Sequence, residues 1–324
     1  MGEPELTGGR AMLDARFDHA FSSASHDEMG ETHALLIIQG GRLVIERYVE
    51  GSGPETTCRS WSMAKSITQA LVGVAVGDGR LDIFAPADAP EWREPGDPRA
   101  AITLDQLLRM SSGLAFVEDY VPGNVSDVIE MLFGSGKEDV GHYAASRPLA
   151  HPPGSFMAYS SGTTNIVSRC LGQALGLTGP AFETFMRERL FNPIGMTSAD
   201  PRFDGAGTFV GPSFCFCTPR DFARFGLLYL RDGMWDGRRL LPEGWVDYAR
   251  TPTWRQEGAE DGPYGAHWWL DMAGPGTFSA NGYDGQHIVI CPDRDLIIVR
   301  HGATPAELKE GLRDWLGELA GLFS

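Results

Sequence analysis

The sequence predicts an α+β fold: one antiparallel sheet of about five strands, flanked by helices, with a mostly helical lobe beside it. Three observations carry this. Runs rich in Ile, Leu and Val stand at both ends of the chain, and helical periodicity fills the middle. The chain has 324 residues, 42% of them hydrophobic, enough for a sizeable core. No repeat or low-complexity tract interrupts it. We therefore expect a single domain over 1–324, with an α/β lobe at about 1–80 and 226–324 and a helical lobe at about 81–225.

Taken in order, residues 10–22 read as a short amphipathic helix carrying Leu13, Phe17 and Phe21. Ala34–Ile38 and Leu43–Val49 read as strands, joined by a tight turn at Gln39-Gly40-Gly41-Arg42. A helix containing Ser62 ends at the glycine stop Gly77-Asp78-Gly79. Beyond Leu81, helical segments alternate with Pro- and Gly-rich loops. Thr103 caps a helix to Met110, Val125–Phe133 is another, and Tyr159-Ser160-Ser161-Gly162 opens a third through Leu171. Arg220–Leu228 is amphipathic. Strands then return at His267–Leu270, Phe278–Asn281, His287–Ile290 and Asp295–Arg300. The last helix starts at Thr304-Pro305-Ala306-Glu307, whose spacing predicts a capping box with Pro305 at the first helical position.

Composition excludes several classes. A net charge of −16 argues against a nucleic-acid partner and against an anionic membrane surface. No apolar run is long enough to span a bilayer. The acidic Met1–Leu6 stretch lacks an apolar signal core, so a cytoplasmic location is expected. Five cysteines at wide spacing do not suggest a disulfide framework. Cys215-Phe216-Cys217 reads as a strand with both thiols on one face and Phe214 and Phe216 on the other, without a second Cys/His pair at zinc spacing. Gly134-Ser135-Gly136-Lys137 is not a phosphate loop, because that motif needs Gly at 131 and Ser or Thr at 138, where this chain has Met131 and Glu138. No metal and no cofactor is expected.

One stretch points to chemistry. In Ser60-Trp61-Ser62-Met63-Ala64-Lys65, Ser62 and Lys65 lie three apart, which places them on one helix face. A serine hydroxyl needs a neighbouring base to act as a nucleophile. Lysine can be that base if burial discourages its charge. Met63, Ala64, Ile67, Ala70, Leu71 and Val74 make this helix apolar, and lysine is otherwise scarce: only Lys65, Lys137 and Lys309 occur. Such a site also needs a proton carrier for the leaving group and two donors for the oxyanion. Tyr159 suits the first role if it lies near Lys65. The backbone N–H of Ser62, at a helix N-terminus, suits one of the donors. The other must come from an edge strand.

Ser62-Met63-Ala64-Lys65, Tyr159-Ser160-Ser161 and Ala280-Asn281-Gly282 fall in the order of the three motifs of penicillin-recognising serine hydrolases. The chain resembles their class C β-lactamase-like branch, which includes esterases, D-amino-acid peptidases and 6-aminohexanoate-dimer hydrolases. Ile102–Leu114, Pro153-Gly154-Ser155-Phe156 and Gly285-Gln286-His287 extend the resemblance from about Ala34 to Gly302. Gly282-Tyr283-Asp284-Gly285-Gln286 looks most like the 6-aminohexanoate-dimer hydrolase group. The resemblance implies a β-lactamase/transpeptidase-like fold. It implies Ser62 as nucleophile, Lys65 as general base, Tyr159 as proton shuttle, and the backbone of Tyr283 as second oxyanion donor. Ser161, Asn281 and Gly282 fall at substrate-binding positions. Tyr120, in Phe116-Val117-Glu118-Asp119-Tyr120, resembles a tyrosine that overhangs the scissile amide.

Two departures narrow the expectation. The third motif in β-lactamases is usually Lys-Thr-Gly; here Ala280 replaces the cation that would hold a β-lactam carboxylate. Ser161 stands where many relatives have Asn. The reading favoured is a hydrolase of small esters or amides. A β-lactamase or penicillin-binding peptidase, and a catalytically silent scaffold of the same fold, are the alternatives. Substrate identity and oligomeric state are open at this stage.

Overall fold

The apolar runs at the two ends of the chain pair with each other. In the computed structural model, which describes residues 6–7, 9–120, 123–256 and 262–324, the main sheet has six strands. The acidic N-terminal stretch read above lies, apart from Leu6, outside the described residues. Glu31–Gln39 (β1) and Arg42–Tyr48 (β2) form the predicted hairpin, turning at Gly40–Gly41. Trp269–Leu270 (β3), Phe278–Gly282 (β4), Gln286–Cys291 (β5) and Leu296–Ala303 (β6) supply the rest. The order is β2-β1-β6-β5-β4-β3, every neighbouring pair antiparallel.

Five longer helices cover this sheet or pack beside it: Arg10–Ala20 (α1), Met63–Gly77 (α2), Ser161–Leu175 (α3), Pro219–Leu230 (α4) and Lys309–Ala320 (α5). Side chains alternate across a strand, so each run serves two cores. Leu36, Ile38, Ile288, Ile290, Ile297 and Val299 pack with Ile67 and Leu71 of α2 and Phe222 and Phe225 of α4. Leu35, Ile37, Val289 and Ile298 pack instead with Leu13 and Phe17 of α1 and Leu312, Trp315 and Leu319 of α5. Burial on both faces explains why these strands read as continuous apolar runs instead of alternating ones.

Helix α2 is wedged between the sheet and the helical part of the chain, so Met63 to Ala75 are all buried. Burying each large aliphatic residue is worth about 1.5–3 kcal/mol, which offsets the cost of the four polar residues buried with them, Lys65, Ser66, Thr68 and Gln69. Shorter helices at Leu104–Leu108, Asp127–Phe133, Val140–Ala145 and Gly179–Met186 build the remainder with α3. The Thr103 cap is present as a full capping box with Gln106.

The antiparallel sheet expected at about five strands has six, each of them at a run read as a strand, and three other expectations are corrected. Its outermost strand on one side is the two-residue edge β3. That edge is shorter than predicted: His267 takes a left-handed φ of 58° and leaves the strand. The capping box predicted at Thr304 and Glu307 does not form. The Thr304 hydroxyl donates to the Met29 carbonyl at 2.6 Å instead, and a short 3-10 turn at Ala306–Leu308 precedes α5. Finally, the expected lobe boundary at 225/226 falls inside α4, whose Phe222 and Phe225 pack on the sheet.

Helix α2 is held against Trp245 by a missing side chain. A Cβ on Gly73 would lie 2.3 Å from the Trp245 indole nitrogen, which donates to the Gln69 carbonyl at 3.3 Å. Gly73→Ala should therefore destabilise the protein by about 1–3 kcal/mol despite alanine's better helix propensity. Urea denaturation of the two proteins measures this.

Candidate active site

The nucleophile candidate is placed by a chain of fixed contacts. The Ser60 hydroxyl donates to the Ser213 carbonyl and accepts from the Cys215 N–H, both at 3.0 Å. Trp61 follows with a left-handed φ of 42°. Such a conformation costs a non-glycine residue roughly 1–3 kcal/mol. Its ring is gripped by Phe214 at 6.0 Å and the edge of Tyr283 at 5.9 Å. Ser62 then stands at the N-cap position of α2, its side chain making no cap hydrogen bond, where a helix leaves its first amides without internal acceptors. Phe214 and Phe216 stack on the side opposite the buried Cys215 and Cys217, as the alternation of that segment predicts.

Lys65 points back along α2 toward Ser62. Its Nζ lies 3.0 Å from Ser62 Oγ, 3.0 Å from Ser161 Oγ and 3.3 Å from the Pro212 carbonyl. It also stands 4.7 Å from the centre of the Tyr159 ring. The side chain is 1% exposed. Burial pushes its pKa down to about 8 from the ordinary 10.5, against the opposing pull of the Glu118 carboxylate. At that value a useful share of the amine is uncharged near neutral pH.

Tyr159 precedes α3, whose first turn is capped by Ser160 accepting from the Thr163 N–H. Its ring packs on Trp269 at 5.4 Å and against the edge of Tyr264 at 5.9 Å. Ser62, Tyr159 and Trp269 form one wall of a cavity of about 240 Å³. Asn281, Gly282 and Tyr283 form a second wall, and Tyr120 leans over it with its ring 5.2 Å from that of Tyr283.

Glycine is required at 282. A Cβ there would meet the Ser60 carbonyl oxygen at 2.4 Å. The end of β4 thus lies directly against the segment that leads into Ser62, bringing the Tyr283 backbone to the nucleophile's side. Ala280, two register positions further into β4, is buried in the core, so the third motif offers no charge there. Asn281 pairs across the sheet with His287, whose Nδ1 lies 2.9 Å from Asn281 Oδ1. Burial keeps His287 neutral, its pKa pushed down to about 3.

The match to known proteins follows this geometry. The Beta-lactamase family model matches residues 18–321. The chain belongs to the Beta-lactamase family. Among curated members, a 6-aminohexanoate-dimer hydrolase of Paenarthrobacter ureafaciens is 24% identical, over 90% of this chain and 77% of its own length. A Bacillus anthracis protein provisionally named a 6-aminohexanoate-dimer hydrolase superposes with a TM-score of 0.77 at 23% identity, covering 92% of this chain and 80% of that one. A penicillin-binding protein from Bacillus halodurans gives 0.70 at 18%, covering 96% and 100%. These low identities establish the shared fold. With it, the β-lactamase/transpeptidase-like architecture expected from the three motifs is observed.

Within this Beta-lactamase family fold, most of the predicted site residues converge. Ser62, Tyr159, Asn281, Gly282, Tyr283 and Tyr120 share the cavity, and Lys65 sits behind Ser62. Ser161 does not join them. It is 1% exposed and lies behind Lys65, its hydroxyl donating to Glu118 Oε1 at 2.6 Å. A substrate contact is therefore the wrong role for it. Sequence reasoning missed Glu118, which also accepts the Ser161 N–H at 2.8 Å and the Tyr120 hydroxyl at 2.8 Å. It missed Lys309 and Arg313 too, one turn apart on α5 and both lining the cavity. A signal existed for Lys309: a rare lysine placed in the first turn of a helix, where the dipole favours acids.

The depressed lysine makes stability depend on pH. Between about 8 and 10.5 the unfolded chain holds the Lys65 proton while the native chain releases it. The Lys65 contribution to stability therefore rises with pH across that window and is flat above it. Lys65→Met removes this slope. Its stability relative to the parent should be most favourable below pH 8 and fall progressively toward pH 10.5, as measured by urea denaturation at several pH values.

Proposed function

We propose that this chain is a serine hydrolase that cleaves small linear esters or amides through an acyl-enzyme on Ser62, in the manner of a 6-aminohexanoate-dimer hydrolase or a carboxylesterase. The observation that carries the reading is the buried Lys65 amine, 3.0 Å from a serine hydroxyl that opens onto a cavity. Uncharged Lys65 takes the Ser62 proton as Oγ attacks the acyl carbonyl. The oxyanion is met by the backbone N–H groups of Ser62 and Tyr283. Tyr159 passes a proton to the departing amine or alkoxide and recovers it from Lys65. Water then enters, gives a proton back through the same groups, and releases the acid.

The family membership and the resemblance to a 6-aminohexanoate-dimer hydrolase support this reading. The core position of Ala280 disfavours efficient β-lactam turnover, since the usual third-motif cation has no counterpart at that position. Tyr120 covers the scissile bond, and Asn281 and Gly282 flank the acyl group. Lys309 and Arg313 suit a carboxylate at the distal end of the substrate, such as the one that the 6-aminohexanoate dimer carries.

Two experiments test the proposal. Ser62→Ala should abolish covalent labelling by a fluorophosphonate, and Lys65→Ala should lower kcat/KM by about 10²–10⁴-fold in a folded protein. Retained labelling of the serine variant rejects the assignment. For substrate polarity, p-nitrophenyl esters of equal length with and without a terminal carboxylate should separate. The double substitution Lys309→Ala/Arg313→Ala should raise KM for the anionic ester by about tenfold, with little change for the neutral one.

A further inference from the structure

We propose that Glu118 is the positioning residue for the lysine base: through Ser161 it dictates the direction in which Lys65 presents its lone pair. The inference rests on Lys65 being the base, as proposed above, and on hydrogen-bond direction at three linked groups. A carboxylate only accepts hydrogen bonds. Glu118 accepts twice from Ser161, at 2.8 Å from its N–H and 2.6 Å from its hydroxyl. Having given its one hydroxyl proton to Glu118, Ser161 can only accept from Lys65, 3.0 Å away. The Pro212 carbonyl, at 3.3 Å, can only accept as well.

An uncharged amine has two N–H bonds and one lone pair. Both N–H bonds are claimed, by Ser161 and by Pro212. The lone pair is left for the third neighbour, the Ser62 hydroxyl at 3.0 Å. If the carboxylate were removed, the Ser161 hydroxyl could rotate and donate to Lys65 instead. It would then occupy the lone pair that has to take the nucleophile's proton. Glu118 is thus an orienting group that touches neither substrate nor nucleophile; because it also accepts the Tyr120 hydroxyl at 2.8 Å, Ser161→Ala, which leaves that bond in place, isolates the route through Ser161.

The titratable groups facing Lys65 are few. Glu118 comes from the loop ahead of Ser126, Tyr159 from the segment before α3, and His267 from the chain before β3. His267 is kept neutral by burial, its pKa pushed down to about 3. Its Nδ1 lies 2.7 Å from the Leu108 carbonyl and its Nε2 2.9 Å from the Thr164 hydroxyl. Glu118 supplies the negative charge that opposes the effect of burial on Lys65.

The test is the pH profile of kcat/KM for p-nitrophenyl butyrate in the parent, Glu118→Gln and Ser161→Ala, with active sites counted by fluorophosphonate titration. In the parent the acid limb reports Lys65 losing its proton. Glu118→Gln should lower the plateau per active site by about 10- to 100-fold. It should also move the acid limb to lower pH by about half a unit to one unit, because a charge favouring the ammonium is gone. Ser161→Ala should lower the plateau while moving the limb less, since the carboxylate remains. It also serves as the second variant if the first does not fold. An unchanged plateau and midpoint in either folded variant overturns the proposal. So does a loss of rate that disappears once active sites are counted. Turnover surviving in Ser62→Ala would instead reject the underlying hydrolase reading.

Discussion

The structure depends on keeping one amine out of water. Lys65 sits in a helix whose residues Met63 to Ala75 are all buried, where its charge is penalised and three protein oxygens stand within hydrogen-bond distance. Everything nearby serves that condition. The apolar faces of α2 are packed between sheet and helices, which excludes solvent from behind. Three acceptors surround the nitrogen, enough for every N–H of an ammonium, so it is burial and not a shortage of partners that disfavours the charge. An exposed lysine at the same spacing would share the motif and lack the chemistry.

A second constraint is backbone proximity. Ser62 stands at the entrance of α2, whereas Tyr283 follows the end of β4, and the proposed mechanism needs the two to meet within a few ångströms. The chain achieves this with a residue lacking a side chain at 282 and a strained one at 61. The first permits contact between strand end and helix entrance. The second turns the chain sharply into α2. Aromatic rings on either side of Trp61 hold that turn, so local strain is compensated by packing at the cavity's rim. Neither device is expensive by itself. Together they set the geometry that a loop could not hold.

Much of this was legible beforehand, for a physical reason. Spacing on a helix is local, so Ser62 and Lys65 could be placed on one face from three intervening bonds. Long apolar runs at both ends of the chain announced strands buried on two faces. The three motifs in order brought Tyr159, Asn281 and Gly282 into register with them. What escaped was non-local or competitive. Glu118 reaches Lys65 by its charge and through Ser161, which lies 43 residues further along the chain, and no periodicity encodes that. Ser161 reads as a cavity residue from its place in the second motif, where many relatives have Asn; the first turn of α3 buries it beside Lys65 instead. Thr304 had the right spacing for a capping box, yet the Met29 carbonyl offered its hydroxyl a better-placed acceptor. Lys309 and Arg313 lie on a helix that reads as a plain cover for the sheet.

That last helix has a consequence of its own. In α5 the residues that anchor it, Leu312, Trp315, Leu316 and Leu319, are different from the two cations that look into the cavity. The anchoring stripe is committed to the sheet, whereas the cations occupy an accessible first turn and the one after it. The charge that α5 turns toward the cavity can therefore be altered by single substitutions without touching the packing that holds the helix in place.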